Sequence, residues 1–248
     1  MKIVAIYGSP RKGTGYSVLR SIKAAFPTID FKILRLSKKK LKPCKGCYTC
    51  VLKGEVYCPL KDDRDEIIKE MKAADGVVFA SPVFVNHISA LMKSLFERIG
   101  YIAHRPCFYD KFAMVLSTCK GFGTKPANDY MKAIVNSFGF TVVSSLGLQF
   151  STNSDKEDIY NFKKTLHAFN ALIDGIKKGE RNPPTLANLV MFRLFKFVSE
   201  QHKDMYIADY EYYKDKDEHP YNGKINVFKK MIAKRYVQKF ANEIALHH

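Results

Sequence analysis

KIVAIYGSPRKGTG, residues 2–15, is the stretch that decides the fold of this chain. Its first six residues form a short apolar, β-branched run, which is typical of a strand buried on both faces of a sheet. A glycine-rich loop follows at residues 8–15, and apolar residues then recur at helical spacing up to Phe26. A strand, a loop and a helix in this order predict the first unit of a parallel α/β sheet.

The same alternation of strand and helix continues to about residue 178. Further strands are predicted at 31–36, 76–80, 112–116 and 140–148, with Ser81-Pro82 ending the third strand. We therefore expect an α/β fold with a doubly wound five-stranded parallel sheet and helices on both faces. Asn182-Pro183-Pro184 marks a boundary, and the pattern beyond it is helical near 185–202 and 223–245. The predicted domains are 1–180, with a cysteine-rich insertion at 43–60, and a C-terminal helical extension at 181–248.

Composition excludes several broad classes of protein. The chain has 248 residues, of which 46% are hydrophobic and 26% charged, so wholesale disorder is excluded. Its most apolar candidate segment, residues 186–198, contains Arg193 and Lys196 and is too short to span a membrane. Because the chain begins directly with a strand pattern and not with a signal-peptide pattern, we expect a cytoplasmic protein without a membrane span.

The net charge of +17 is concentrated near the start of the chain. Residues 1–58 contain 13 basic and 2 acidic residues. Such an excess attracts anions, among them nucleic acid, a phosphorylated cofactor, an anionic metal cluster or an acidic protein partner. No zinc-finger, RNP-like or helix-turn-helix signature accompanies the charge, so the sequence predicts no nucleic-acid binding.

The loop after the first strand has the features of a phosphate site. A strand-to-helix junction directs backbone N–H groups and the positive end of a helix toward one point. The loop is neither a Walker A motif nor a complete G-x-G-x-x-G fingerprint, and an ordinary turn remains the alternative. The predicted contacts are hydroxyl, cationic, glycine and aromatic positions of one segment: Ser9, Arg11, Lys12, Gly13, Thr14, Gly15, Tyr16 and Ser17.

Two more loops follow strands at the same predicted edge of the sheet, where ligands of open α/β sheets bind. After the third strand, Pro82, Val83 and Phe84 suit a flat ring system, and Asn86 and His87 offer hydrogen bonds to its edge. A purely structural role for His87 is the alternative. After the fourth strand, two glycines allow a close approach of the backbone to a ligand. The candidates in that loop are Thr118, Cys119, Lys120, Gly121 and Phe122.

Together the three loops resemble the NADPH-dependent FMN reductase family, which has a flavodoxin-like fold. The family's G-S-P-R-K loop matches residues 8–12, and its S-P-x-[YF]-x-x-x-[IV]-[ST]-x-x-x-K segment matches residues 81–93. The resemblance covers about residues 1–175. One departure is Gly13-Thr14-Gly15-Tyr16, where the family often has Asn-Ser-Asn-Thr. The resemblance implies FMN as cofactor, NAD(P)H as co-substrate, and a homodimer or homotetramer.

Four cysteines lie within fifteen residues, at Cys44, Cys47, Cys50 and Cys58. Thiolates at this spacing can ligate one metal centre. Zinc, or loop packing without metal, are the alternatives. The spacing resembles that of the iron–sulfur flavoproteins, which implies these four residues as ligands of a [4Fe–4S] cluster. Nearby lysines would offset the negative charge of such a cluster.

The resulting hypothesis is an FMN-dependent oxidoreductase of the NAD(P)H-dependent flavin or quinone reductase type. It would relay electrons through the cluster, with a quinone, free flavin or ferredoxin as electron donor or acceptor. The alternative is a non-catalytic iron–sulfur and flavin electron carrier that exchanges electrons with a ferredoxin-like partner. No catalytic acid or base is predicted, because hydride transfer to flavin requires none. The aromatic-rich tail is interpreted as a subunit interface, as a cover for the active site, or as a membrane-surface contact, in that order.

Overall fold

A computed structural model describes residues 1–151, 154–221 and 223–245, with side chains described as far as residue 242. His247 and His248 lie outside the described residues. The strands are β1 Lys2–Tyr7, β2 Asp30–Arg35, β3 Gly76–Phe84, β4 His87–Ile88, β5 Phe112–Cys119 and β6 Thr141–Gln149. The helices are α1 Thr14–Ala25, α2 Thr49–Leu52, α3 Arg64–Ala73, α4 Ala90–Arg98, α5 Thr124–Ser137, α6 Asp155–Lys178, α7 Leu186–Gln201, α8 Ile207–Tyr213 and α9 Val227–Ala245.

The central sheet has the strand order β2-β1-β3-β5-β6, and these five strands pair in parallel. The short β4 pairs antiparallel with the end of β3. Without β4 this is the 2-1-3-4-5 order of flavodoxin-like folds, so the predicted fold class is confirmed. The order reverses between β1 and β3, so the loops after these two strands flank the crevice where such folds bind their ligands.

Alternate residues of the strands supply two apolar layers. On one face, Ile3, Ala5 and Tyr7 of β1 join a core cluster with α1 and α6. On the other face, the ring of Phe79 lies 5.8 Å from that of Phe96 and 5.7 Å from that of Phe140. Since both faces are covered, the strands are continuous apolar runs without alternation, which is why the sequence pattern located them.

Two strands are longer than predicted. The expected end of the third strand at Ser81-Pro82 is wrong, because β3 continues to Phe84. The pairing of β3 with β1 stops at Ala80, whereas Ser81 and Pro82 still pair with β5. Pro82 has no backbone N–H group to donate, but on the side of β1 no hydrogen bond from this position is needed. β5 likewise continues to Cys119, because Ser117 and Thr118, which were predicted as loop, pair with Ser81 and Pro82 of β3.

The aromatic and charged stretch between the predicted tail helices contains a further helix, α8. The sequence shows no apolar stripe at helical spacing for α8, because its buried residues are Asp209 and Tyr213, and Asp209 is charged. The flanking helices α7 and α9 are close to the predicted ranges. No helix among the described residues is long and apolar enough to cross a membrane.

The chain divides into two compact units. The first comprises Met1–Cys44, Leu60–Gly100 and Asp110–Glu180, and contains the sheet with α1 and α3–α6. The second comprises Lys45–Pro59, Tyr101–Tyr109 and Arg181–His248. Within the second unit α8 packs against both α2 and α7, and α7 packs against α9. The tail helices therefore share a unit with three of the four clustered cysteines.

A buried ion pair fastens the chain entering α3 to the end of α4 within the first unit. Arg98 Nη2 lies 2.8 Å from Asp62 Oδ1, and the side chains are only 2% and 1% exposed. The carboxylate of Asp62 also accepts hydrogen bonds from the backbone N–H groups of Lys42 at 2.9 Å and Arg64 at 3.2 Å. Burial opposes ionisation of Asp62, but these hydrogen bonds and Arg98 outweigh it and hold the pKa of the carboxyl below its usual range.

Asp62→Asn should lower the free energy of unfolding by about 3–5 kcal/mol at pH 7, because it leaves Arg98 buried without its counter-charge. The folded-state pKa of Asp62 is depressed, so the carboxylate stabilises the fold above its unfolded-state pKa, and this contribution is lost as the pH falls through the folded-state pKa. Urea unfolding at pH 7 and near pH 3 should therefore show a smaller difference between wild type and variant in acid.

Asp129→Asn is the matched control, because its carboxylate pairs with Lys125 at 2.5 Å on an exposed helix face. That pair should be worth less than about 1 kcal/mol. If Asp62→Asn lowers the free energy of unfolding by no more than Asp129→Asn does, or by the same amount at both pH values, the assigned role of the ion pair is contradicted.

Candidate functional site

The loop after β1 is tied to the loop after β3 through hydrogen bonds at the carboxyl edge of the sheet. The Gly8 N–H donates to the Ala80 carbonyl at 2.8 Å, and the Ser89 hydroxyl donates to the Gly8 carbonyl. The Ser89 N–H donates to Ser81 Oγ at 2.9 Å, and Ser89 Oγ caps α4 by accepting from the Met92 N–H at 3.2 Å. Ser81 and Ser89 therefore hold the first two candidate loops together.

The first turn of α1 lies close to the ends of two strands. A Cβ atom on Gly15 would stand 3.1 Å from Thr118 Oγ1 and 3.2 Å from Tyr7 Cε2, so a larger residue would require these side chains to shift by a few tenths of an ångström. Gly13 occupies the N-cap position and offers no side-chain acceptor to the first amides of the helix. The N–H groups of Tyr16 and Ser17 donate to the Gly13 carbonyl at 2.8 and 3.2 Å, so those of Thr14 and Gly15 are the ones we assign to an external anion.

A groove of about 590 Å³ lies at this end of α1, within the size range of small-molecule sites. The predicted site residues in its lining are Lys12, Gly13, Thr14, Ser17 and Lys120. The opposite wall, which sequence analysis missed, comes from the first turns of α6. A signal for it was present: the Ser154–Glu157 cap is followed by positions at helical spacing on one face, namely Asp158, Asn161, Phe162 and Thr165.

Arg35 is a second residue that sequence analysis missed. It ends β2, and its Nη2 donates to the Pro10 carbonyl at 3.5 Å. The ring of Tyr16 has Lys12 Nζ 5.5 Å and Arg35 Cζ 5.7 Å from its centroid. Arg35 Nε is buried and has no hydrogen-bond partner within the described ranges. Two cations and an unsatisfied N–H group therefore lie beside the first loop, a setting that suits an anionic group.

The second and third loops meet each other. Phe84 pairs with His87 across a two-residue turn in which Val85 and Asn86 have φ angles of 49° and 60°, the left-handed geometry of tight hairpins. Gly123, with φ of 102°, packs against this hairpin, and a Cβ on it would lie 2.7 Å from Asn86 Oδ1. The two loops therefore form one surface.

This surface presents apolar side chains to solvent. Phe84 is 46% exposed, Val85 99% and Phe122 76%. The His87 ring lies 4.5 Å from that of Tyr130, and neither residue lines the groove beside α1. Of the described residues that line that groove, none comes from the 82–87 loop.

Cys119 closes the third loop onto itself. Its Sγ donates to the Gly121 carbonyl at 3.3 Å, and the Gln149 side-chain amide, a contact the sequence did not reveal, donates to the same carbonyl at 2.5 Å. Burial raises the pKa of the Cys119 thiol, so the neutral form is favoured. The residue therefore acts as a small packing side chain with a weak donor.

The remaining candidates are the clustered cysteines. Cys50 lies on α2, Cys58 is buried, and Cys44 and Cys47 are exposed. Hydrogen bonds from the hydroxyl and the backbone N–H of Thr49 lower the pKa of the Cys47 thiol, which favours the thiolate that a metal requires. Four thiols suit an iron–sulfur cluster as a donor set, but within the described part of the chain no three His, Cys, Asp or Glu side chains are gathered closely enough to hold a metal ion.

Comparison with known proteins resolves the family. The sequence model of the NADPH-dependent FMN reductase family matches residues 1–173. The chain belongs to the NADPH-dependent FMN reductase family. As a member of this family it is a flavin-dependent oxidoreductase, and the family resemblance predicted from the three loops is confirmed.

Two relatives align over most of the chain. An iron-sulfur flavoprotein of Archaeoglobus fulgidus is 28% identical over 221 residues, covering 87% of this chain and 99% of the relative. An iron-sulfur flavoprotein of Clostridioides difficile is 27% identical over 223 residues, covering 86% of this chain and 95% of the relative. The alignments therefore extend beyond the region that the family model matches.

Among solved structures, RosB with a bound 8-demethyl-8-formylriboflavin-5'-phosphate intermediate superposes with a TM-score of 0.58. It is 11% identical and the match covers 92% of both chains. At this identity the likeness shows the fold alone, and it agrees with the flavodoxin-like order of the reductase sheet.

Gly123→Ala should destabilise the reductase fold by about 1–2 kcal/mol, because alanine at this positive φ is strained and its Cβ would lie 3.1 Å from Asn86 Cα. Gly121→Ala, two residues away, is the control, since a Cβ there meets nothing within 4 Å. It should change the free energy of unfolding by less than about 0.5 kcal/mol. Equal urea midpoints for the two variants would show that the packing of Gly123 on the hairpin does not constrain the site.

Proposed function

We propose that the protein is an NAD(P)H-dependent oxidoreductase that carries FMN and reduces a small acceptor such as a quinone or free flavin. The observation that carries this proposal is the junction between β1 and α1. Its uncapped helix end opens beside a groove that contains Lys12 and Lys120. The lining also contains one carboxylate, Asp158, so the groove carries a net positive charge, which at a helix N-terminus suits the phosphate of a nucleotide cofactor.

The described residues fit FMN at its two ends. The phosphate would bind at the first loop, through Ser9, Thr14 and Ser17 and the cations Lys12 and Arg35. Phe84 and Phe122 supply an exposed apolar surface of the kind that stacks on a flat ring. When bound, FMN supplies hydride and single-electron chemistry at its isoalloxazine ring. The chain's own part is to bind the phosphate, orient the ring and exclude water from it.

Electrostatics beside the third loop would assist the same chemistry. Negative charge that develops on a bound flavin is stabilised by pre-oriented N–H groups and cations. Lys120 and the backbone amides of residues 120–122 are the donors we assign to this role. His87 and Asn86 are assigned to the edge of the ring, and no residue is assigned as a catalytic acid or base.

We further propose Cys44, Cys47, Cys50 and Cys58 as ligands of a [4Fe–4S] cluster. Support comes from the donor set, from the lowered pKa of the Cys47 thiol, and from the relatives that are named iron-sulfur flavoproteins. A homodimer or homotetramer and a ferredoxin-like donor complete the proposal.

Lys12→Gln should weaken FMN binding about tenfold and leave riboflavin binding unchanged, because it removes a cation beside the phosphate and nothing beside the ring. Lys23→Gln is the matched control, as Lys23 lies on an exposed face of the same helix. Titration calorimetry with both ligands measures the effect. An equal loss of affinity for FMN and riboflavin, or a loss in the control, would place the phosphate elsewhere.

Protein purified without oxygen and saturated with FMN should oxidise NADH or NADPH in the presence of a quinone. Stopped-flow absorbance of the nicotinamide and of the flavin follows this reaction directly. No turnover with either nicotinamide, together with rapid reduction by reduced ferredoxin, would replace the enzyme proposal with the electron-carrier alternative.

The same preparation tests the cluster. About four iron atoms and four sulfides per chain, with a broad absorbance that dithionite bleaches, are expected for a [4Fe–4S] centre. Zinc in place of iron, or neither metal under these conditions, would overturn the cluster proposal while leaving the flavin proposal intact.

A further inference from the structure

The second unit contains a buried charged centre that the proposed function does not use. Arg105 is 8% exposed and Asp209 is 1% exposed, and Arg105 Nη1 donates to Asp209 Oδ1. The other carboxylate oxygen of Asp209 lies 2.9 Å from His104 Nδ1. Burying an arginine and an aspartate destabilises the fold unless hydrogen bonds satisfy both side chains. The other hydrogen bonds of this pair therefore indicate its role.

Besides lying 5.4 Å from the centroid of the Tyr101 ring, the Arg105 guanidinium makes its remaining hydrogen bonds to the cysteine segment. Its Nη2 donates to the Cys50 carbonyl at 2.7 Å and to Glu55 Oε2 at 3.1 Å, and its Nη1 donates to the Val51 carbonyl at 3.2 Å. Both carbonyls belong to α2, which is too short to satisfy them by its own i+4 bonds. The planar guanidinium fork therefore caps the carbonyl end of the helix that carries Cys50.

The tail holds Arg105 in this position. Asp209 belongs to α8, and the adjacent backbone of the 101–109 segment is fixed by two further α8 residues: the Tyr213 hydroxyl donates to the His104 carbonyl and the Tyr212 hydroxyl donates to the Pro106 carbonyl at 2.6 Å. The His104 ring stacks on Phe195 of α7 with 4.0 Å between centroids. Asp209 thus contacts the guanidinium directly, while Tyr212, Tyr213 and Phe195 fix the residues on either side of Arg105.

We propose that Asp209 and Arg105 are positioning residues for the cysteine segment, and that the tail helices form part of its scaffold. Arg105 holds the backbone around Cys50, so this residue would be presented to a cluster from a fixed helix. The part of this inference that concerns iron rests on the proposed cluster. The part that concerns the backbone of α2 does not.

The test compares three variants of the full chain, each purified without oxygen. Asp209→Asn removes the charge that orients Arg105, and Arg105→Lys keeps a positive charge but loses the planar fork. Glu211→Gln is the matched control, because Glu211 lies on the same helix α8 and pairs with Lys214 at 2.6 Å on its exposed side. Where Asp209→Asn does not fold, Arg105→Lys carries the same comparison.

Hydrogen exchange on the metal-free protein gives the first measurement. In Asp209→Asn and Arg105→Lys, the amides of residues 51–54 should exchange about tenfold faster or more, since a buried charge-assisted cap is lost. Exchange in β5, within the first unit, should not change, and Glu211→Gln should match wild type throughout. Unchanged exchange at residues 51–54, or the same increase in the control, would overturn the proposal.

Iron loading gives the second measurement. After reconstitution, both positioning variants should hold less iron and sulfide than wild type and should show an altered electron paramagnetic resonance spectrum on reduction. Faster exchange with unchanged iron content and spectrum would reduce the pair to a structural role and overturn the positioning inference. If wild type itself takes up no iron, the proposed cluster fails, and the exchange data alone decide whether the tail anchors α2.

Discussion

The hydrogen bond from the Ser89 hydroxyl to the Gly8 carbonyl is the contact on which the arrangement of the site depends. Ser89 also caps α4 and donates its N–H to Ser81, so one residue connects the first loop, the end of β3 and the start of a helix. The fold requires these loops to lie at the same edge, because parallel strands end on one side. Ser81 and Ser89 fix the loop after β1 against the loop after β3 through these hydrogen bonds.

Much of the first unit was predictable from sequence because its strands are covered on both faces. A strand such as β1 then reads as an unbroken apolar run, and the loop behind it is marked by glycines such as Gly15. Strand ends were less predictable. Ser81 and Pro82 have the composition of a turn, yet cross-strand pairing with β5 keeps them extended, and such pairing leaves no trace in the local sequence.

The residues that sequence analysis missed share one property, which is distance along the chain from the motif they serve. Arg35 closes β2, and Asn161 and Thr165 belong to the last helix of the sheet unit, so no local spacing connects them to the first loop. Arg105 and Asp209 are 104 residues apart in the chain, and the charged Asp209 interrupts the apolar periodicity of α8. The sequence pattern marks one face of α6, but which loop that face lies against is set by topology and not by local spacing.

The hairpin at Val85 has a consequence for how this molecule would respond to selection for heat resistance. A β-branched residue at φ of 49° costs about 1–2 kcal/mol relative to the glycine or asparagine that such turns prefer, and its side chain, 99% exposed, recovers nothing by burial. Thermostability could therefore be raised at a surface position without repacking any core. Val85 instead places an exposed isopropyl group at the rim of the apolar surface that the second and third loops form.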